Sequence, residues 1–291
     1  MKKILALMLA LCMVFALAAC GEAASDPSAA PESEAPASEA PASEAPASEA
    51  PASEEPAADG EFTTIVEGKL TMSTNAQFPP YEMTTDDGGF EGIDVEIATA
   101  IAEKLGLELD ILDMDFDSAL LAVQQGKSDI VMAGVTVTEE RAAVMEFSDS
   151  YATGVQVVIV KEGSDVTMDN LGEKMIGCQK ATTGYLYASD TPENGGYGED
   201  HVIAYETGAL AVEALKNGQV DCVIIDNEPA KAYVAANEGL TILETPWVEE
   251  DYAIGMKKGN TALLEAVNNA MAELKADGTF QTIVDKYITT K

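Results

Sequence analysis

From Phe62 onward the sequence predicts an α/β fold built from sheets of parallel strands covered by helices. Two observations carry that prediction. Short apolar runs with strand character alternate with segments whose apolar residues recur at helical spacing. Composition also shifts abruptly near residue 60, from a low-complexity stretch to one with the aliphatic and aromatic content of a core.

KLTMST (69–74) reads as the first strand, followed by a loop holding Pro79 and Pro80. Ile97, Ala98, Ile101, Ala102 and Leu105 share one helical face, with Gly106 as the C-terminal stop. LELDILDM (107–114) alternates with period two, as a half-buried strand does. Ser118 to Gln125 forms a short helix closed by Gly126, and DIVMAG (129–134) a buried strand. VQVVIV (155–160), MIGCQ (175–179) and DCVIID (221–226) are further strands. Helices follow around 207–217 and 227–237 and from Thr261 to the end.

The first sixty residues have another character. Lys2 and Lys3 precede an apolar stretch too short for a spanning helix, which ends in small residues as a signal peptide does (1–20). Residues 21–60 repeat the unit SEAPA from Ser33 and, proline aside, carry no apolar side chain larger than alanine. Such a segment has nothing to bury and reads as a disordered tether of Ala, Pro, Ser and Glu, extended by its prolines and by repulsion between evenly spaced glutamates.

A formal charge of −35 leaves no basic footprint, which excludes nucleic acid as a partner. The single histidine, His201, lies in a polar, Gly-rich stretch. It leaves no His-rich metal cluster, and neither metal nor cofactor is expected. Cys178 and Cys222 sit inside apolar strands and read first as buried free thiols, a disulfide being the alternative.

In open α/β sheets, ligands bind beyond the carboxyl ends of strands. Four polar spots occupy such positions: Asn75; Gly134 and Thr136 with Arg141 shortly after; Gln179 to Thr183; and Asp226. They come from two halves of the chain and so suggest a cleft between lobes. Their chemistry complements a zwitterion. Arg141, the only arginine in the chain, offers a planar fork for a carboxylate, and Asp226 a partner for an ammonium. Phe78 and Phe116 provide apolar walls. Each has a plainer reading: Arg141 as a surface partner of Glu139 or Glu140, Asp226 as the N-cap of the helix after it, the phenylalanines as core.

Four segments carry a family resemblance: FPPYE (78–82), GFEGIDVEIATAIAEKLG (89–106), GKSDIVMAGVTVTEERAAVMEFSDSY (126–151) and GQVDCVIIDNEPA (218–230). Here the chain resembles the amino-acid-binding (solute-binding) proteins of ABC importers, the bacterial extracellular solute-binding proteins of family 3. The likeness extends over 62–291. The run T-x-T-x-x-R followed by E-F-S-x-x-Y is specific to that family. It implies a two-lobed periplasmic-binding-protein-like fold with a two-stranded hinge and a ligand cleft between lobes. Lobe 1 would comprise 61–153 and 250–291, and lobe 2 would comprise 154–249.

The resemblance also implies roles. Arg141 and Thr136 would bind an α-carboxylate, with Thr183 completing that site and Gly134 presenting backbone. Asp226 would hold the α-ammonium, Phe78 and Phe116 would sandwich the side chain, and Gln179 would face its tip. Asn75 stands where many members have Asp, and Ala181 where many have Gly. Leu17-Ala18-Ala19-Cys20 resembles a lipobox, which would place diacylglycerol on Cys20 and tether a monomer at the outer face of the cytoplasmic membrane. Its partners would then be a free L-amino acid and the importer's permease. Other readings are a dehydratase of the same fold acting on prephenate- or arogenate-like acids, a ligand-sensing module, and, on the acidic tether alone, a surface adhesin. Trp247, near the second hinge crossing, would report lobe closure or simply fill a core.

Overall fold

The computed structural model describes residues 62–243 and 246–288. The expected signal peptide (1–20), the tether (21–60) and lipidation at Cys20 lie outside them.

The chain opens with β1 (Lys69–Thr74), then three short strands, β2 (Gln77–Phe78), β3 (Glu82–Thr84) and β4 (Phe90–Glu91). Helix α1 (Ile93–Lys104) leads to β5 (Glu108–Asp113), α2 (Phe116–Gln124), β6 (Ile130–Val131), α3 (Glu139–Val144) and β7 (Met145–Phe147). The long β8 (Ala152–Lys161) follows, then β9 (Ile176–Gln179), α4 (Thr183–Ser189), β10 (Val202–Tyr205), α5 (Gly208–Asn217) and β11 (Cys222–Asp226). Helix α6 (Asn227–Ala236), β12 (Leu240–Ile242), β13 (Val248–Tyr252), β14 (Gly255–Lys257), α7 (Thr261–Ala276) and α8 (Thr279–Tyr287) complete it.

Two larger sheets result. One has the order β5-β1-β6-β14-β7; the other has β10-β9-β11-β8-β12, with β13 also on β8. Both are mixed rather than purely parallel. β1 runs parallel to β5 and β6, and β9 parallel to β10 and β11, as the strand–helix alternation implies. β14 is antiparallel to β6 and β7, and β8 antiparallel to β11, β12 and β13. The antiparallel members are the crossing strand β8 and the strands around the return. They enter a sheet from the other half of the chain, without a covering helix to fix a parallel direction.

β1 is buried on both faces because it lies between two strands under helices, whereas β5 at the sheet edge is only half-buried, in keeping with its alternating sequence. Ile93, Ile97, Ala98, Ile101 and Ala102 of α1 all face inward. Each fully buried isoleucine contributes ~1.5–3 kcal/mol over its exposed state.

The chain passes between the sheets twice, outward through β8 and back through β13. These strands pair with each other, Ala152 opposite Tyr252 and Gln156 opposite Val248. Two crossings that pair side by side form a hinge. Tyr252, fully buried, packs its ring against Tyr81 and Tyr151 at centroid distances of 5.4 and 6.4 Å. Gly154 admits that ring: a Cβ there would lie 2.5 Å from the Tyr252 ring and 2.6 Å from Asp226 Oδ1, inside any tolerable contact.

Candidate functional site

A pocket of about 330 Å³ lies where strand ends from the two sheets meet. Asn75, Phe78, Phe116, Gly134, Thr136 and Arg141 line it from one half, and Gln179, Thr183 and Asp226 from the other. Glu82, Ala133 and Thr182 complete the wall. All nine residues expected from sequence are therefore brought to one cavity.

Arg141 stands in the first turn of α3, whose N-cap Thr138 accepts from the Arg141 backbone N–H at 3.2 Å. The side chain turns inward and is 8% exposed, so the surface pairing with Glu139 or Glu140 does not form. Its guanidinium donates to the Thr136 carbonyl at 2.9 Å and to the Ala181 carbonyl at 3.1 Å, one contact in each lobe. The Phe116 ring lies 5.5 Å beneath it. Among the described residues it makes no ion pair. Burial lowers its pKa from the ordinary arginine value, with the charge of Glu250 opposing that shift. Ala181, whose carbonyl it grips, adopts a left-handed φ of +62°, a conformation that costs a non-glycine residue ~1 kcal/mol or more.

Asp226 occupies the N-cap position of α6, yet its side chain caps nothing. Its carboxylate accepts instead from the Tyr252 hydroxyl and from Gln156 Nε2, the latter at 2.9 Å. Burial pushes its pKa up to about 7; the Tyr252 hydrogen bond opposes that and the charge of Glu250 adds to it. Gln156 Nε2 also donates to Glu250 Oε2 at 2.9 Å, which places two carboxylates around one amide. The same Glu250 oxygen accepts from the hydroxyls of Thr183 (2.9 Å) and Thr136 (3.3 Å).

Glu82 and Asp94 form a second acidic pair. Asp94 Oδ2 accepts from the Gly134 N–H at 3.0 Å and from the Tyr151 hydroxyl at 2.8 Å, fixing the loop after β6 to the start of α1. That loop turns at Gly134 with φ +54°, and a Cβ there would sit 2.8 Å from the Phe78 ring. Neither oxygen of Glu82, nor Asp94 Oδ1, finds a hydrogen-bond donor among the described residues. Burial and the neighbouring charge of Asp94 hold Glu82 well above the usual carboxyl range, and burial pushes Asp94 up to about 6.

Asn75 and Gln179 meet across the cleft: Gln179 Nε2 donates to Asn75 Oδ1 at 3.0 Å, and Asn75 Nδ2 to the Met114 carbonyl at 3.0 Å. Phe78 and Phe116 both line the pocket and belong to core clusters, so wall and core are one role here.

Elsewhere the plainer readings hold. Cys178 and Cys222 are free and buried, and burial raises both thiol pKa values. Trp247 packs between Tyr187 and Tyr197, with centroids 6.3 and 6.0 Å away. His201 ends a single 3-10 turn.

Sequence reading missed Glu82, Glu250 and Gln156. Glu82 stood in the quoted FPPYE run, where an acid one residue past a turn carries no local mark of burial. Glu250 lies in VEEDY, a charged run that reads as a solvated edge strand. Gln156 did carry a signal: it is the one polar residue inside VQVVIV.

Comparison with known proteins places this geometry. The profile of the bacterial extracellular solute-binding proteins, family 3, matches residues 70–290. A probable histidine-binding protein of Neisseria gonorrhoeae is 30% identical over 226 residues, covering 74% of this chain and 81% of that one. ABC transporter arginine-binding protein 1 of Escherichia coli K12 is also 30% identical, covering 75% and 90%. The structure of an ancestral arginine-binding protein bound to glutamine superposes with a TM-score of 0.71 at 37% identity, covering 77% of this chain and all of that one. These relatives bind solutes for transport and are not enzymes.

Proposed function

This chain belongs to family 3 of the bacterial extracellular solute-binding proteins, and we propose that it captures a free amino acid with a cationic side chain. The charge inventory of the pocket carries this reading. Arg141 is the one cation in the lining, and Asp226 and Glu82 are the two carboxyls. A zwitterionic backbone uses one of each, its carboxylate on Arg141 and its ammonium on Asp226. Glu82 remains, fully buried and without a hydrogen-bond donor among the described residues, and a cationic side chain supplies both the charge and the donors it lacks.

In this reading Gly134 presents backbone to the ligand, the Thr183 end of α4 faces its carboxylate, and Phe78 and Phe116 flank its aliphatic stem. Gln179 and Asn75 reach towards its tip. Contacts come from both halves of the chain, so the ligand favours the closed arrangement by its stronger interaction there. Lobe 1 (61–153 and 250–291) and lobe 2 (154–249) close about β8 and β13. The closed protein, a monomer, delivers its cargo to the permease of an ABC importer. Lipid on Cys20 and the tether at 21–60 keep it near that permease at the outer face of the membrane, which raises effective concentration without new contacts. A dehydratase activity is set aside, because the family binds solutes for transport.

Titration calorimetry of the whole chain against the twenty amino acids, cystine and ornithine tests the proposal. L-arginine or L-lysine is expected to bind most tightly. Tighter binding of L-glutamine overturns the cationic assignment, and no binding by any of them overturns amino-acid capture. Retention of radiolabelled palmitate by Cys20, lost in Cys20→Ala, tests the anchor.

A further inference from the structure

Glu250 lies on the return strand β13, 6% exposed, and behind the pocket wall rather than in it. Its Oε2 gathers three donors: Thr183 Oγ1 at 2.9 Å, Gln156 Nε2 at 2.9 Å and Thr136 Oγ1 at 3.3 Å. Its other oxygen, Oε1, is buried and accepts nothing among the described residues. The two threonines belong to opposite lobes, their hydroxyl oxygens are 3.5 Å apart, and both line the pocket.

A hydroxyl carries one proton. While Glu250 accepts it, the threonine presents only lone pairs to the cavity, which suit a cation and repel an anion. We propose that Glu250 is a positioning residue of the binding site, acting through Thr136 and Thr183 as a built-in competitor for the ligand's carboxylate. This rests on the amino-acid reading above. A ligand carboxylate gains these donors only by taking them from Glu250, and it does so near a second negative charge. Both effects lower affinity for the anionic end. In return, Glu250 gives the hydroxyls and the buried Arg141 an anionic neighbour whenever the ligand departs, so release does not strand them.

The alternative is that Glu250 only braces the hinge through Gln156. The whole chain and its isosteric variant Glu250→Gln are compared by calorimetry with L-arginine and with L-argininamide, which keeps the ammonium and side chain but lacks the carboxylate. If another amino acid binds best, it and its carboxamide replace them. The variant is expected to bind the amino acid about tenfold more tightly, a gain typical of one charged hydrogen bond, and the carboxamide with less than about a twofold change. Unchanged or weaker binding of the amino acid overturns the proposal, as does equal tightening for both compounds. Glu250→Asp withdraws the oxygens by one methylene while keeping the charge. It is expected to tighten amino-acid binding by less than Gln does, and it carries the test if the Gln variant does not fold. Failure of the unaltered protein to bind any amino acid overturns the functional reading itself, whereas binding without tightening in the variants overturns only the role of Glu250.

Discussion

The amide of Gln179 donates to the amide oxygen of Asn75 at 3.0 Å, joining the end of β9 to the end of β1 across the cleft. Both residues are buried, so the bond has no water to replace it. Asn75→Ala leaves the Gln179 donor unsatisfied in the closed arrangement, a loss of ~1–3 kcal/mol. We expect ligand affinity to fall about 5- to 150-fold, with the thermal midpoint of the unliganded protein little changed. Calorimetry and a melt of the same sample check both halves.

Arg141→Ala is expected to weaken binding by ~2–5 kcal/mol, because the ligand's carboxylate then stays buried without its cation. Arg141→Lys should recover only part of that loss. An ammonium cannot donate in parallel to the Thr136 and Ala181 carbonyls while also meeting a carboxylate with a planar fork. A loss under threefold in the alanine variant, read by titration, would assign the guanidinium to lobe bridging alone.

Glu82→Gln removes the pocket's surplus carboxyl and keeps its shape. The ratio of affinities for L-arginine over L-glutamine is expected to drop at least tenfold, or ~1.4 kcal/mol. The variant should be as stable as the parent or more so, since one of two adjoining buried acids becomes a neutral amide. Competition titration with the two ligands measures the ratio.

Burial raises the folded-state pKa of Asp226 to about 7 and of Asp94 to about 6. In the unfolded chain both titrate near ~3.9. A raised carboxyl pKa means that the folded state binds the extra proton, so this stability is complete below ~4 and is lost as pH rises through 6 and 7. Asp226→Asn should therefore flatten the decline in urea-unfolding free energy of the unliganded protein between pH 5 and pH 8 by ~2–4 kcal/mol. An unchanged slope would show that Asp226 ionises as freely folded as unfolded.

Each element that the sequence predicted rests on a local signal. The spacing of Ile97, Ala98, Ile101 and Ala102 encodes the inward face of α1, and the apolar run before Asp226 encodes β11. The short strands β2, β3 and β4 had no such signal. Two or three residues are too few for periodicity to register, and only their mutual pairing makes them a sheet. The antiparallel entries of β8 and β14 were hidden for the same reason, since strand direction depends on partners rather than on side-chain pattern.

Sequence alone marked nine of the residues that reach the cavity, though not Glu82. Polar residues placed just after buried strands must project beyond the sheet edge, and Asn75, Thr136, Gln179 and Asp226 all do. Tertiary structure alone decided what each touches there. Thr136 meets Glu250 across 114 residues of chain and Gln179 meets Asn75 across 104, and Glu82 loses its solvent in the folded chain, near Asp94 and Asp113. A residue's own neighbours in sequence fix its direction from the backbone, whereas its hydrogen-bond partners and its desolvation are set by segments that fold against it from far away.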